Sequence, residues 1–284
     1  MNKEYLSDQK TQFNNKVVVV TGSTQGSGAE TAKLFAHRGA KAITICGRQE
    51  EQGEAIKEQI ETIGSKCLYV KADLSNVDDC RNIISLTDKE FGTINSLINV
   101  AGYTERGTIL STTLDNYEKN FNINTRAPFL LMQESIKIMI RDKNKGTIAN
   151  VLSVAKYSGM PFLMAYSSSK AALGIMTKNI ANAVSGHQIR VNGLNIGWTD
   201  TPGEHSIQKR VHEGGEDWLE KAEAKVPFKR LTKPIDVARA LAFLCSDESG
   251  LMTGSLMDCD QTVVGWHSYS AYETKILDDS LLGE

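Results

Sequence analysis

The sequence predicts an α/β fold: a doubly wound, parallel, seven-stranded sheet with helices on both faces, in a single domain. Three observations predict it. Short apolar, β-branched runs alternate with amphipathic helical segments, glycines cluster between the first run and the first helix, and no Pro/Ser-rich linker interrupts the chain. Parallel neighbours need a crossover that climbs back over the sheet, and the intervening helices supply it.

The elements follow in order. Residues 16–21 (KVVVVT) form the first strand, and Ala29, Ala32, Phe35 and Ala36 mark a helix closing at Gly39. Strand 42–46 precedes a helix with Ile56, Ile60 and Ile63 on one face, then strand 67–70. The signature Ser75-x-x-Asp78 starts a helix leading into strand 94–100. A helical stretch over 114–141, strand 147–153, helix 164–184 and strand 188–196 continue the alternation. A polar segment at 203–228 reads as a helical flap, Pro234 opens another helix, and a short strand lies near 255–258. The expected organisation is an N-terminal extension at 1–13, the α/β domain at 14–262 and a tail at 263–284 bearing Trp266, His267, Tyr269 and Tyr272.

Composition excludes several classes. Of 284 residues, 40% are hydrophobic, 23% charged and only five are proline, which provides a core and rules out disordered and fibrous chains. The net charge of -2 offers no general attraction to phosphates or anionic lipid, so no nucleic-acid or membrane partner is expected. Five scattered cysteines without a C-x-x-C pair fit neither a disulfide framework nor a thiolate metal site; no metal pattern occurs. The first residues lack an apolar secretory region, and the expected location is cytoplasmic.

The chemistry-bearing residues form an ordered set. Thr21-Gly22-Ser23-Thr24-Gln25-Gly26-Ser27-Gly28 stands between the first strand and helix, where backbone must turn sharply and approach a pyrophosphate at a helix N-terminus. Tyr166 and Lys170 are four apart on one helix, so they share a face. An ammonium beside a phenol favours the phenolate, which predicts a lowered tyrosine pKa suited to general acid/base work. Ser153 ends a strand and faces the crevice of the sheet, where its hydroxyl can donate to a substrate oxygen. Pro128 has no N–H for the carbonyl of Asn124, which is thereby freed to hold a water.

With T-G-x-x-x-G-x-G, Asp73-Leu74, Asn99-Val100-Ala101-Gly102, Ser153 and Tyr166-x-x-x-Lys170 in this order, the chain resembles the short-chain dehydrogenase/reductase family, in its single-domain branch, over roughly 14–262. The resemblance implies a Rossmann-type fold and an oxidoreductase acting on CH–OH groups. It implies Asn124, Ser153, Tyr166 and Lys170 as the catalytic set, with a water linking Asn124 to Lys170. It also implies coenzyme contacts from Gly22, Ser23, Thr24, Gln25, Gly26, Gly28, Arg48, Asp73, Leu74, Asn99, Ala101, Gly102, Tyr166 and Lys170. Gly197, Thr199 and Thr201 belong to a segment similar to the family's P-G-x-x-x-T, although Ile196 replaces the proline. Asp258-Cys259-Asp260 replaces a terminal D-G-G. A homo-oligomer, specifically a tetramer, is the assembly that the family implies.

At the end of the second strand, Gly47 stands where an NAD site usually places an acid, and Arg48 follows. NADP(H) is therefore favoured, with NAD(H) as the alternative. Expected pocket walls are Tyr103, Ala155, Met160, Trp198 and the flap, with His205 and His212 solvated. This mixture favours a small polar substrate such as a sugar or polyol. The alternatives are a 3-oxoacyl thioester reductase, against which the acidic Glu204, Glu213, Glu216 and Asp217 count, and a non-catalytic coenzyme-binding regulator.

Overall fold

Strands buried on both faces build the molecule. In the computed structural model, which describes residues 9–212 and 215–263, strand β1 (Val17–Val20) sends Val18 and Val20 to one face and Val19 to the other. Helices must therefore cover both faces. On one side pack α1 (Gly26–His37), α2 (Glu50–Ile63) and α9 (Pro234–Cys245), through Phe35, Ile60 and Leu241. On the other pack α3 (Val77–Phe91), α5 (Ala127–Arg141) and α6 (Met164–Val184), through Ile83, Leu131 and Leu173.

The remaining strands are β2 (Ala42–Gly47), β3 (Lys66–Lys71), β4 (Ser96–Asn99), β5 (Thr147–Ser153), β6 (Arg190–Ile196) and β7 (Leu256–Cys259). All pairings are parallel, in the order β3-β2-β1-β4-β5-β6-β7. The order reverses between β1 and β4, and that switch point opens a crevice at the carboxyl ends of the strands. The doubly wound, seven-stranded prediction holds.

Four local expectations change. The packed unit begins before residue 14, because Phe13 is buried and stacks on Phe35 with ring centroids 4.2 Å apart. Helix α3 is capped by Asn76, whose side chain accepts from the N–H groups of Asp78 and Asp79, while Ser75 turns back onto Asp73. The 114–141 stretch is interrupted: α4 (Leu114–Phe121) passes through one π-helical turn, Asn122–Arg126, into α5. Pro128 cannot donate to the Asn124 carbonyl, and the Ala127 N–H instead reaches back five residues to Asn122. The flap begins at Pro202, with α7 (Pro202–Arg210) and α8 (Trp218–Lys225). The expected aromatic tail, Trp266 to Tyr272, lies outside the described residues.

Candidate active site

A cleft of about 1170 Å³ runs along the switch point, from the β1–α1 loop to the flap. At one end Gly22 (φ +62°) lies so close to Ala101 that a Cβ would stand 2.7 Å from its Cα, and a Cβ on Gly28 would overlap the Gly22 carbonyl. Packing thus requires glycine at both positions, and at Gly22 the positive φ requires it as well. Gln25, at the N-cap of α1, makes no side-chain capping bond, so the first N–H groups of the helix face the cleft without a side-chain partner. Such a glycine cradle at a helix N-terminus fits the pyrophosphate of a dinucleotide.

Most of the expected binding residues line this cleft: Gly22, Thr24, Gln25, Gly26, Gly28, Arg48, Asp73, Leu74, Ala101, Gly102, Gly197, Thr199 and Thr201, with Ser153, Tyr166 and Lys170. Three do not. Ser23 is fully buried and clips β1 to β2, donating to the Val20 carbonyl at 2.6 Å and accepting from the Cys46 N–H at 3.0 Å. Asn99 donates to the Asn150 side chain beneath the sheet's end. Asn124 turns its amide to the backbone of Tyr103, accepting from its N–H and donating to its carbonyl, each at 2.8 Å. Its side chain therefore fixes the loop after β4 rather than facing the cleft.

Ser153 ends β5, and Tyr166 and Lys170 project from α6 toward it. The Ser153 hydroxyl accepts from the Ala155 N–H at 3.1 Å and lines the cleft together with the Tyr166 phenol. Lys170 is buried, and its Nζ donates to the Val151 carbonyl at 2.7 Å and stands 6.0 Å from the centre of the Tyr166 ring. The expected lowering of the tyrosine pKa is not what this arrangement produces. Desolvation raises the phenol, outweighing the opposing pull of Ser153 and Arg106, and the same burial brings Lys170 down to about 8.

Farther along, Arg48 is exposed and, among the described residues, makes no ion pair or hydrogen bond. Asp73 is bound by the N–H and hydroxyl of Ser75; burial would raise its carboxyl, but these bonds with Arg48 and Lys119 hold it below the usual range. At the opposite end Tyr103, Ala155, Met160 and Trp198 line the cleft as expected. The flap acids differ from expectation. Glu216 pairs with Lys209 at 2.7 Å and Asp217 with Lys221 at 2.8 Å, while Glu204 is turned inward onto Arg106; Glu213 lies outside the described residues. Among the described residues these three flap acids are each paired with a basic side chain. Nor is His205 simply solvated: Asp200 holds its Nε2 at 2.7 Å and Trp218 donates to its Nδ1 at 3.2 Å.

A family model described as enoyl-(acyl carrier protein) reductase matches residues 22–263. This chain belongs to the short-chain dehydrogenase/reductase family. It is 35% identical over 248 residues to an uncharacterized oxidoreductase of Thermotoga maritima, covering 87% of this chain and 97% of the relative. It is 30% identical over 253 residues to the 3-oxoacyl-[acyl-carrier-protein] reductase FabG of the same organism, covering 89% and 99%. Among solved structures, L-sorbose reductase from Gluconobacter frateurii, complexed with NADPH and L-sorbose, superposes with TM-score 0.84 at 25% identity, covering 91% of this chain and all of the other. Levodione reductase superposes with TM-score 0.81 at 28% identity, covering 88% and 97%. The protein is accordingly an oxidoreductase of CH–OH and carbonyl groups.

Reasoning from motifs missed Arg106, Gln208 and the inward turn of Glu204, all lining the flap end of this dehydrogenase/reductase cleft. None belongs to a spaced motif. Their only signal was position, just after β4 and within the flap. Asp260, noted only as a departure from D-G-G, stands over Gly197, where a Cβ would collide with its carboxylate.

Proposed function

We propose that this enzyme uses NADP(H) to interconvert an alcohol and a carbonyl on a small polar substrate, with a sugar or polyol as the favoured class. The carrying observation is the convergence of Ser153, Tyr166 and Lys170 at the carboxyl end of β5, beside the glycine cradle. A bound nicotinamide dinucleotide supplies or accepts the hydride. Ser153 holds the substrate oxygen, and Tyr166, a phenol that burial raises further, gives that oxygen its proton in the reducing direction. Lys170, brought down to about 8, is poised to replace the proton. The Asn124 carbonyl, which Pro128 cannot serve, completes the water-linked path that the family implies.

Arg48, next to Gly47 and without an ion pair among the described residues, supports the 2′-phosphate of NADP, as does the NADPH in the sorbose reductase structure. Thr24 occupies the space beside Gly47, 2.5 Å from where a Cβ would stand, so an acid cannot be placed there without moving it. A 3-oxoacyl thioester reductase is the second reading, favoured by the 30% identity to FabG. Partly exposed Tyr117 and Phe129 on α4 and α5 support the homo-oligomer, a tetramer, that the family implies. Among the described residues no helix is long and apolar enough to cross a membrane.

The test is to assay the purified enzyme with NADPH and NADH against ketoses, cyclic ketones and acetoacetyl thioesters, alongside Tyr166→Phe. Expected are turnover with ketoses at a rate above thioesters, and a loss of at least about a hundredfold in kcat in the variant with coenzyme affinity retained. Retained turnover in Tyr166→Phe removes the assigned acid. Because the phenol is raised, the oxidation rate should climb with alkaline pH while reduction declines; a flat profile in both directions contradicts the proton donor.

A further inference from the structure

The substrate end of the cleft contains two charges that the reaction does not consume. Arg106 and Glu204 have side chains only 14% and 12% exposed, and both line the cleft. Withdrawing an ion pair from water costs about as much as its attraction returns, so stability alone is a weak reason to keep one there. The pair is also loose: Arg106 Nη2 lies 3.4 Å from Oε1 and 3.5 Å from Oε2. What holds the carboxylate is its own surroundings. Trp198 Nε1 and Gln208 Nε2 donate to Oε1 at 2.8 and 2.7 Å, and the N-cap Thr201 accepts from the Glu204 N–H at 3.2 Å. Among the described residues Oε2 receives only the long contact from Arg106, so it retains acceptor capacity. Arg106 Nη1 uses one donor on the Thr104 carbonyl at 3.0 Å and keeps its second. Both charges line the same cleft as the Tyr166 phenol and act on it in opposite directions.

We propose that the Arg106–Glu204 pair is a specificity site for an uncharged hydroxyl group near the reacting carbon, so that the enzyme takes hydroxyketones in one direction and the corresponding diols in the other. A hydroxyl donates to Oε2 and accepts from the guanidinium at once. A substrate carboxylate meets Glu204, and an ammonium meets Arg106, so the pair rejects both signs of charge. An alkyl chain leaves both charges desolvated without compensation. This inference rests on the carbonyl-reducing function proposed above and narrows its substrate class.

The test uses four ketones with NADPH: 2-hydroxycyclohexanone against cyclohexanone, and 4-oxopentanoate against 2-hexanone. In the wild type, kcat/KM for the hydroxyketone should exceed that for cyclohexanone by about tenfold or more. Glu204→Gln should reduce that ratio by about tenfold and raise the 4-oxopentanoate to 2-hexanone ratio several-fold, because Arg106 is then uncompensated. Arg106→Leu should reduce the first ratio without raising the second. Ratios within one preparation are insensitive to how much of it is folded. A wild-type hydroxyketone ratio near one, unchanged ratios in both variants, or an equal loss on all four ketones overturns the specificity site while leaving the carbonyl-reducing function standing. Failure of the wild type to reduce any carbonyl with either coenzyme overturns that function, and this inference with it.

Discussion

Lys170 shows how one residue carries opposite demands. It reaches the proposed acid/base centre only by being buried, and burial disfavours its charged form, so its pKa falls to about 8 from the ordinary 10.5. Between these values the unfolded chain binds a proton that the folded chain has released, so folding stability gains as pH rises through that window. The wild type should therefore gain stability relative to Lys170→Met between about pH 8 and 10.5, by on the order of 2–3 kcal/mol. Urea melts of both proteins across that range check the sign, and a constant difference contradicts it. Tyr166 and Lys170 were legible in the sequence because their spacing alone sets them on one helical face. The direction of the phenol's shift was not legible. It depends on how much water the folded site excludes, and on Lys170 bonding to Val151 rather than to the phenol.

At the scale of elements, two segments depart from simple periodicity, for different reasons. The π-helical turn before α5 arises from the missing N–H of Pro128, a cause present in the sequence whose result is a change of hydrogen-bond register. The flap has no such local cause. Its helices are held by Trp218, which is 6% exposed, packed edge-on against His205 at 4.7 Å and bonded to it. Lys233, just before α9, ties Asp200 at 2.9 Å and Glu223 at 2.7 Å, joining the flap to the domain. Trp218→Ala should loosen the flap and raise the KM for the carbonyl substrate about fivefold or more, with coenzyme affinity changed less than twofold. Steady-state kinetics and coenzyme titration separate the two; an equal effect on both indicates general destabilisation.

For the whole molecule, the reversal of strand order between β1 and β4 makes one cleft from segments distant in the chain. A ligand spanning it binds only the folded state and stabilises the fold by mass action. NADP at a hundred times its Kd should raise Tm by about 5–10 °C, and Arg48→Ala should remove most of the advantage of NADP over NAD. Scanning calorimetry with both coenzymes at that same concentration checks this, and equal shifts by both in the wild type contradict the reading of Arg48. The sequence by itself determined the sheet, its helical cover and the line of coenzyme and acid/base motifs, because those follow from side-chain periodicity, glycine geometry and fixed spacings along single elements. Only the tertiary structure decided that Ser23, Asn99 and Asn124 turn their side chains away from the cleft, and that Arg106 meets Glu204 at its substrate end. Contacts between residues 21 to 98 positions apart depend on how loops pack over the sheet, which no local pattern records.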